Sequence, residues 1–281
     1  MRILVTGADG RLGKQLCLNL QSHHAVTPVD VGSMDITDLQ QVNQTFEAVR
    51  PELVIHCAAL TGVDYCAEHP EEALKINALG TQTVALECQQ HDAALLYVST
   101  NEVFDGKTWR EYQEYDSPHP ANPYAYSKWV GEQIVRDLVR QHYLVRTSWL
   151  FSQDGHNFVQ IMLQLAAEGK PLRVVTNEVS CPTYNLDLAE AICRLIETKR
   201  YGIYHLTNEG YTSRYQFARQ LLDLAGYDQT PIEPIALAEY QRPSRPPEYA
   251  ILRNFMAAQL GIRLRPWQDA LAAFVAAEQS R

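Results

Sequence analysis

The stretch NPYAYSKWVGEQ places one lysine, Lys128, shortly after two tyrosines, Tyr124 and Tyr126. Pro123 suits a first helical position, and the stretch behind it has one glycine and no further proline, which predicts a helix. On a helix, side chains four residues apart share a face, whereas side chains two apart point away from each other. Tyr124 and Lys128 therefore form a candidate acid–base pair that protonates a carbonyl oxygen. The alternative interpretation is that the tyrosines pack this helix against a sheet.

The pair suits the reduction of a ketone. A free phenol titrates near pH 10, too high for fast proton exchange at neutral pH. A nearby ammonium favours the phenolate, so we expect Lys128 to lower the pKa of Tyr124. A ketone that accepts hydride develops negative charge on its oxygen, and a phenol proton aimed there stabilises the transition state.

Glycine recurs at every third position of TGADGRLG, as Gly7, Gly10 and Gly13. The run follows a first apolar segment and opens a first amphipathic pattern, where glycines allow a tight turn and let backbone N–H groups approach a pyrophosphate. The spacing differs from the better-known Gly-x-Gly-x-x-Gly. Asp30 ends the second predicted strand, and an acidic residue there accepts hydrogen bonds from an adenosine ribose. This pattern predicts a dinucleotide site, the alternative being a structural turn with a surface aspartate.

The charges around this turn leave two nicotinamide cofactors open. Asp30 favours a free ribose 2′-hydroxyl and hence NADH, because a 2′-phosphate would meet its negative charge. Arg11 inside the turn could offset that charge and admit NADPH. We therefore predict NADPH or NADH as the cofactor. Asp35 is positioned either to meet the adenine edge or to cap the next helix.

The elements that position these residues alternate between strand and helix. Runs such as RILVTG, LVIHCAA and ALLYVST predict buried strands, and amphipathic segments lie between them. Such alternation predicts an α/β fold with a doubly wound parallel Rossmann sheet and a smaller C-terminal substrate lobe. We expect residues 1–150 and 172–207 to form the dinucleotide-binding domain, and residues 151–171 and 208–281 to form the lobe.

Composition narrows the partners and the compartment. The 281-residue chain has a net charge of −9 without runs of like charge, which gives no support for nucleic-acid or anionic-membrane binding. No apolar stretch approaches the roughly 20 residues that a membrane helix needs. The six cysteines show no Cys-x-x-Cys spacing, so we expect a reducing cytoplasm and no metal site.

The order of these motifs resembles the short-chain dehydrogenase/reductases of the extended type. The glycine turn comes first, STNEVF (Ser99–Phe104) ends the fourth strand, and the Tyr124 helix follows. The stretches STNEVFDG, NPYAYSKWVGE, VRTSWLF, NFVQIMLQLA, GIYHLTNEG and LGIRLRPWQDAL are similar to dTDP-4-dehydrorhamnose reductases. That resemblance runs from residue 1 to about residue 275. It implies reduction of the 4-keto group of a dTDP-linked deoxysugar by NAD(P)H, and a possible homodimer.

The resemblance also implies residue roles. Tyr124 would be the general acid, Lys128 would hold the nicotinamide ribose and ease proton release, and Thr100 would hydrogen-bond the substrate carbonyl. The remaining cofactor contacts would come from Gly7, Gly10, Arg11, Leu12, Asp30, Asp35, Ile36, Ala58, Ala59 and Thr61. The substrate contacts would come from Thr100, Glu102, Trp149 and Asn157.

Two departures from the family pattern bear on the substrate. Asn101-Glu102 stands where the family commonly has Asp-Tyr, and NEVSCPT keeps only Pro182-Thr183 of the Asp-Gln-x-Gly-x-Pro-Thr pattern. Sugar-nucleotide 4,6-dehydratases are also similar and carry Thr-Asp-Glu here, but an asparagine cannot transfer a full proton. We expect Glu102 to contact the sugar. The alternatives are a sugar-nucleotide dehydratase or epimerase, and a non-catalytic NADP-binding regulatory subunit.

Overall fold

The computed structural model describes residues 1–155 and 157–280 of the chain. Its strands are β1 (Arg2–Thr6), β2 (Ala25–Val29), β3 (Leu53–His56), β4 (Ala94–Thr100), β5 (His142–Thr147), β6 (Leu150–Phe151), β7 (Leu172–Val175), β8 (Val179–Ser180), β9 (Thr183–Tyr184), β10 (Gly202–His205), β11 (Thr212–Ser213) and β12 (Ile232–Ile235). Its α-helices are α1 (Arg11–Leu20), α2 (Leu39–Val49), α3 (Val63–Glu68), α4 (Pro70–Leu74), α5 (Gly80–Gln90), α6 (Pro123–Leu138), α7 (Phe158–Ala167), α8 (Asn185–Glu197), α9 (Arg214–Leu224), α10 (Phe255–Gln259) and α11 (Trp267–Gln279).

Six parallel strands form the central sheet in the order β2-β1-β3-β4-β5-β10. One face packs against α1, α8 and α10 through a core that includes Leu16 and Ile192. The other face packs against α2, α5 and α6 through a core that includes Phe46 and Val135. Burial on both faces explains why these strands read as continuous apolar runs. The predicted doubly wound parallel sheet is confirmed.

A third core lies among elements after residue 150. It joins α7, α9 and α11 through buried side chains such as Val159, Phe217 and Phe274. β7 pairs in parallel with β12 in a separate two-stranded sheet, and Leu172 and Val174 of β7 belong to this third core. The division of the chain at residues 151, 172 and 208 stays a prediction.

The predicted long helix EEALKINALGTQTVALECQQ contains an irregularity. A π-helical segment, Lys75–Leu79, separates α4 from α5. Asn77 in this segment is buried, and its side-chain oxygen accepts from the N–H of Leu60 at 2.7 Å. Its amide nitrogen donates to the carbonyl of Leu60 at 3.0 Å and to Ser127 Oγ at 2.9 Å. The π-helical segment therefore ties the loop after β3 to α6, a placement typical of functional sites.

Within residues 1–155 and 157–280, none of the helices has the length and apolar character that a membrane crossing needs.

Candidate active site

A cleft of about 900 Å³ opens beyond the carboxyl ends of β1, β3, β4 and β5. Ligands of open parallel sheets bind at this edge. Every residue that the sequence singled out for cofactor or substrate lines the cleft, namely Gly7, Gly10, Arg11, Leu12, Asp30, Asp35, Ile36, Ala58, Ala59, Thr61, Thr100, Glu102, Tyr124, Lys128, Trp149 and Asn157. Their binding roles stay predictions.

The glycine turn at the start of α1 is shaped to receive an anion. Gly7 has φ +65°, and a Cβ there would lie 2.6 Å from the backbone nitrogen of Ala58, so no side chain fits. Gly10 is the N-cap of α1 and brings no capping side chain, which leaves the first N–H groups of the helix free for a ligand. These residues fit the pyrophosphate of a dinucleotide.

Asp30 is held at this turn by hydrogen bonds. Its Oδ2 accepts from the N–H of Asp9 at 2.9 Å, and its Oδ1 accepts from the N–H of Val31 at 2.8 Å. Asp35 also folds onto its own loop, where its Oδ1 accepts from the N–H and hydroxyl of Thr37. The residue that caps α2 is Asp38, so the alternative role of Asp35 as that cap is wrong. Asp35 therefore stays a candidate contact for adenine.

The Arg11 side chain reaches towards β6. Its Nη1 donates to the carbonyl of Leu150 at 3.3 Å, and burial lowers the pKa of Arg11. Among the described residues, the guanidinium of Arg11 makes no hydrogen bond or ion pair with Asp30. The structure thus gives no support to the idea that Arg11 offsets the charge of Asp30.

Tyr124 and Lys128 lie on α6, whose first helical residue is Pro123 as the sequence predicts. Asn122 caps the helix by accepting from the N–H of Ala125 at 2.8 Å. Tyr124 and Lys128 both line the cleft, whereas Tyr126 is 49% exposed. Tyr124 and Lys128 therefore share the face of α6 that lines the cleft, as the helical period predicts, and Tyr126 does not.

The pKa of the phenol differs from the sequence expectation. Burial raises the pKa of Tyr124, the Glu102 carboxylate raises it further, and hydrogen bonding with Thr100 lowers it only in part. The expected lowering of this pKa by Lys128 is wrong for the protein alone, because desolvation dominates. Burial in turn lowers the pKa of Lys128 to about 7, against a smaller opposing effect of Glu132. Tyr124 is thus fully protonated at neutral pH, which is the form that donates.

The end of β4 and the turn after it carry three polar side chains, Thr100, Asn101 and Glu102, which differ in function. Thr100 Oγ accepts from the N–H of Glu102 at 3.2 Å and so shapes the turn. Asn101 is buried, and its amide nitrogen donates to Ser180 Oγ at 3.0 Å and to the carbonyl of Ala250 at 3.1 Å. An ionised aspartate could make neither bond as a donor. Asn101 is therefore a structural link in this chain.

Glu102 projects into the cleft beside Tyr124. Its Oε2 accepts from Nδ2 of Asn122, the cap of α6, at 2.8 Å. Burial raises the pKa of Glu102 to about 7, the hydrogen bond with Asn122 lowers it, and the charge of Glu178 raises it. The carboxyl group is therefore anchored to the helix of Tyr124 and changes its charge near neutral pH.

The cleft also contains a charged residue, Arg214, that sequence reasoning missed. Arg214 lines it, and its guanidinium lies 3.5 Å from the centre of the Trp149 ring. Glu178 Oε1 accepts from Nε of Arg214 at 3.1 Å. Trp149 itself has φ +42°, a conformation that bulky residues adopt only under constraint. No spacing in the sequence signals this group, because its members come together only through tertiary packing.

The amide nitrogen of Asn157 forms hydrogen bonds with the loop that precedes α7. Its nitrogen donates to the carbonyls of Ser152 at 3.0 Å, Gly155 at 3.2 Å and Asp154 at 3.4 Å. Its Oδ1 is buried without a hydrogen-bond partner in the part of the chain that the structure describes. That oxygen is the atom of Asn157 that can accept a hydrogen bond from a donor group of a bound ligand.

A buried ion pair supports the floor of the cleft. Glu132, one helical turn after Lys128 on α6, accepts from Arg146 of β5 through both oxygens, at 2.9 and 2.7 Å. Ser99 Oγ, next to Thr100, donates to the same carboxylate at 2.6 Å. The pair therefore joins α6 to β4 and β5 beneath the cleft.

Known proteins share this fold and much of this sequence. A family model described as the RmlD substrate binding domain matches residues 1–280. The chain is 36% identical over 275 residues to the spore coat polysaccharide biosynthesis protein SpsK of Bacillus subtilis, with 98% of this chain and 96% of the relative covered. It is 36% identical over 282 residues to a dTDP-4-dehydrorhamnose reductase of Mycolicibacterium smegmatis, with 98% and 85% covered.

A solved structure agrees over nearly its whole length. The dTDP-4-dehydrorhamnose reductase of Bacillus anthracis in complex with NADP has a TM-score of 0.94 at 37% identity, with 97% of this chain and 98% of that chain covered. The family that the motifs indicate is therefore confirmed. This chain belongs to the RmlD substrate binding domain family, and the relatives it is similar to include dTDP-4-dehydrorhamnose reductases.

Proposed function

We propose that this chain reduces the 4-keto group of a dTDP-linked deoxysugar, converting dTDP-4-dehydrorhamnose to dTDP-L-rhamnose with NADPH or NADH. The observation that carries the proposal is one cleft that joins the glycine turn of α1 to the Tyr124–Lys128 face of α6. The names of the relatives and the NADP in the related structure support the substrate and the cofactor.

The cofactor side of the cleft is built from the first half of the chain. The free N–H groups of Arg11 and Leu12 at the start of α1 hold the pyrophosphate, and Asp30, Asp35 and Ile36 surround the adenosine. Ala58, Ala59 and Thr61 follow the cofactor towards Lys128, whose ammonium binds the ribose hydroxyls. The bound nicotinamide supplies the hydride.

The proton reaches the sugar from Tyr124. Its raised pKa keeps the phenol protonated, and the Thr100 hydroxyl beside it donates to the same ketone oxygen. Both donors act where negative charge develops, so they stabilise the transition state more than the ground state. Trp149, Asn157 Oδ1 and Glu102 contact the nucleotide sugar.

The direct test is oxidation of NADPH or NADH by the purified chain in the presence of dTDP-4-dehydro-6-deoxy-L-mannose, followed at the nicotinamide absorbance. We expect substrate-dependent oxidation and a reduced dTDP-sugar product. Tight NADPH binding without any oxidation would instead favour a non-catalytic, NADP-binding regulatory subunit. Consumption of dTDP-glucose without a net change in cofactor would favour a sugar-nucleotide dehydratase.

The contacts of Asn101 argue against the dehydratase. That reaction needs an acid to expel the C6 hydroxyl as water, and the amide of Asn101 is committed to Ser180 and Ala250. Glu102 alone could remove a C5 proton but not complete the elimination. The reductase needs only the acid that Tyr124 provides.

Glu102→Gln is expected to raise the KM for the sugar nucleotide several-fold while kcat falls less than about twofold, since Glu102 binds and does not transfer the proton. The KM effect should grow as the pH rises through about 7, because only the ionised carboxylate carries the negative charge that glutamine lacks. Steady-state kinetics across that pH range measure both parameters. Glu71→Gln, at an exposed position of α4, is the matched control. A lost kcat with unchanged KM, or formation of a 4-keto-6-deoxy sugar from dTDP-glucose, would contradict the assignment.

Asp30→Asn is expected to shift the preference towards NADPH, because the substitution removes the charge that opposes a 2′-phosphate. Asparagine keeps one oxygen, which can accept from the N–H of Asp9, and loses the second acceptor, which now binds the N–H of Val31. We expect the kcat/KM ratio of NADPH to NADH to rise about tenfold, which corresponds to roughly 1.4 kcal/mol. Asp137→Asn, exposed on α6, controls for charge alone. An unchanged ratio would mean that Asp30 does not contact the ribose.

We also propose the cytoplasm as the compartment of this enzyme. All six cysteines are free thiols, which supports a reducing environment. The proposed division keeps residues 1–150 and 172–207 as the dinucleotide-binding domain and the remaining segments as the substrate lobe, and the homodimer stays a prediction.

A further inference from the structure

The ammonium of Lys128 rests on an aromatic ring that does not itself line the cleft. Nζ of Lys128 lies 4.1 Å from the centre of the Tyr97 ring. Tyr97 belongs to β4, is fully buried, and donates from its hydroxyl to the backbone carbonyl of Lys128 at 3.3 Å. The Tyr97 ring thus contacts the ammonium of the lysine, and the Tyr97 hydroxyl contacts its backbone carbonyl.

The Tyr97 ring also stacks with the imidazole of His56. The two residues are register partners on β4 and β3, and their rings stack with centres 5.7 Å apart at 30°. His56 is bound by Thr6 at 2.6 Å and by Thr81 at 3.1 Å, and burial lowers its pKa to about 3. The imidazole is therefore neutral, so the stack does not repel the lysine as a cation would.

The helix leaves room for this ring. Gly131 follows Lys128 by one turn, and a Cβ at Gly131 would overlap the Tyr97 hydroxyl and lie 2.9 Å from Cζ of the ring. α6 therefore approaches β4 closely enough for the ring face to meet the ammonium. Because both residues are buried from water, the quadrupole of the aromatic ring attracts the ammonium strongly.

We propose that Tyr97 is a positioning residue whose ring face holds the Lys128 ammonium at the floor of the cleft. This inference rests on the proposed function, in which that ammonium binds the nicotinamide ribose beside Tyr124. The other groups that face the ammonium are Glu132, whose charge favours it, the Cys57 thiol and the neutral His56.

The test compares two substitutions that both remove the hydroxyl but differ in the ring. Tyr97→Phe keeps the aromatic face, and Tyr97→Leu removes it. The ionisation of Lys128 is followed by NMR titration of isotopically labelled lysine side chains, with its signal assigned through Lys128→Arg. In the unchanged protein the ammonium is present below, and lost above, a midpoint of about pH 7.

We expect Tyr97→Phe to keep this midpoint and Tyr97→Leu to move it down by roughly 0.5–1 pH unit, because the ammonium loses its aromatic partner. At pH 7 the leucine variant should then bind NADPH several-fold more weakly than the phenylalanine variant. Equal midpoints in the two variants would overturn the proposal. If circular dichroism shows that the leucine variant does not fold, Tyr97→Met, which fills more of the space, takes its place. Its midpoint is then compared with that of Tyr97→Phe.

The titration uses neither cofactor nor sugar, so its outcome is separate from that of the turnover assay. A protein without reductase activity can still show the shift, and an active reductase can fail to show it.

Discussion

Tyr124→Phe is expected to lower kcat for the keto sugar by about 10²–10⁴-fold, the usual contribution of a positioned general acid. The substitution removes a single hydroxyl from a half-buried side chain, so the volume of the cleft hardly changes. NADPH affinity should stay within about twofold, because Lys128 and the glycine turn are untouched. Turnover by absorbance and cofactor binding by fluorescence separate the two effects.

Tyr126→Phe is the matched control, since it removes the same hydroxyl from the same helix two residues further on. That side chain is 49% exposed and points away from the cleft, so its loss should leave kcat unchanged. An inactive Tyr126→Phe beside an active Tyr124→Phe would show that the face of α6 has been assigned wrongly.

Glu132→Ala is expected to destabilise the fold by about 3–5 kcal/mol, because it strands the guanidinium of Arg146 in the core. The side chains of the pair are 1% and 2% exposed, so water cannot replace the lost carboxylate. For a chain of this size the loss corresponds to a fall in Tm of roughly 10 °C. Thermal unfolding followed by circular dichroism measures it.

A double variant decides whether the loss comes from the stranded charge. Glu132→Leu combined with Arg146→Met removes both charges and refills the space, and buried pairs replaced in this way often recover most of the stability. We expect the double variant to unfold at a higher temperature than Glu132→Ala. If it is no more stable, the loss must come from Ser99 and packing and not from an unpaired Arg146.

The local parts of this site could be predicted from the sequence. The 3.6-residue period of a helix put Tyr124 and Lys128 on one face without any knowledge of the sheet. Pro123 marked the start of that helix, and the glycines after β1 marked the tight turn that opens α1. Such features depend on the backbone geometry of a few consecutive residues, so a single sequence contains them.

The energetics of the same residues could not be predicted in this way. Lys128 was expected to lower the pKa of Tyr124, but burial raises that pKa. Burial also lowers the pKa of Lys128 itself to about 7. Desolvation depends on everything packed around a group, and much of that packing comes from residues distant in sequence. A spacing argument identifies the pair but cannot give the sign of its pKa shift.

The sequence by itself thus determined the alternating α/β fold, the family and a set of residues that line one cleft. Only the tertiary structure placed Arg214 on the Trp149 ring, committed Asn101 to Ala250 and set Lys128 on Tyr97. The physical reason is distance along the chain. Periodicity is a property of neighbouring residues, whereas these contacts join segments that meet only when strands pair and helices pack across the sheet.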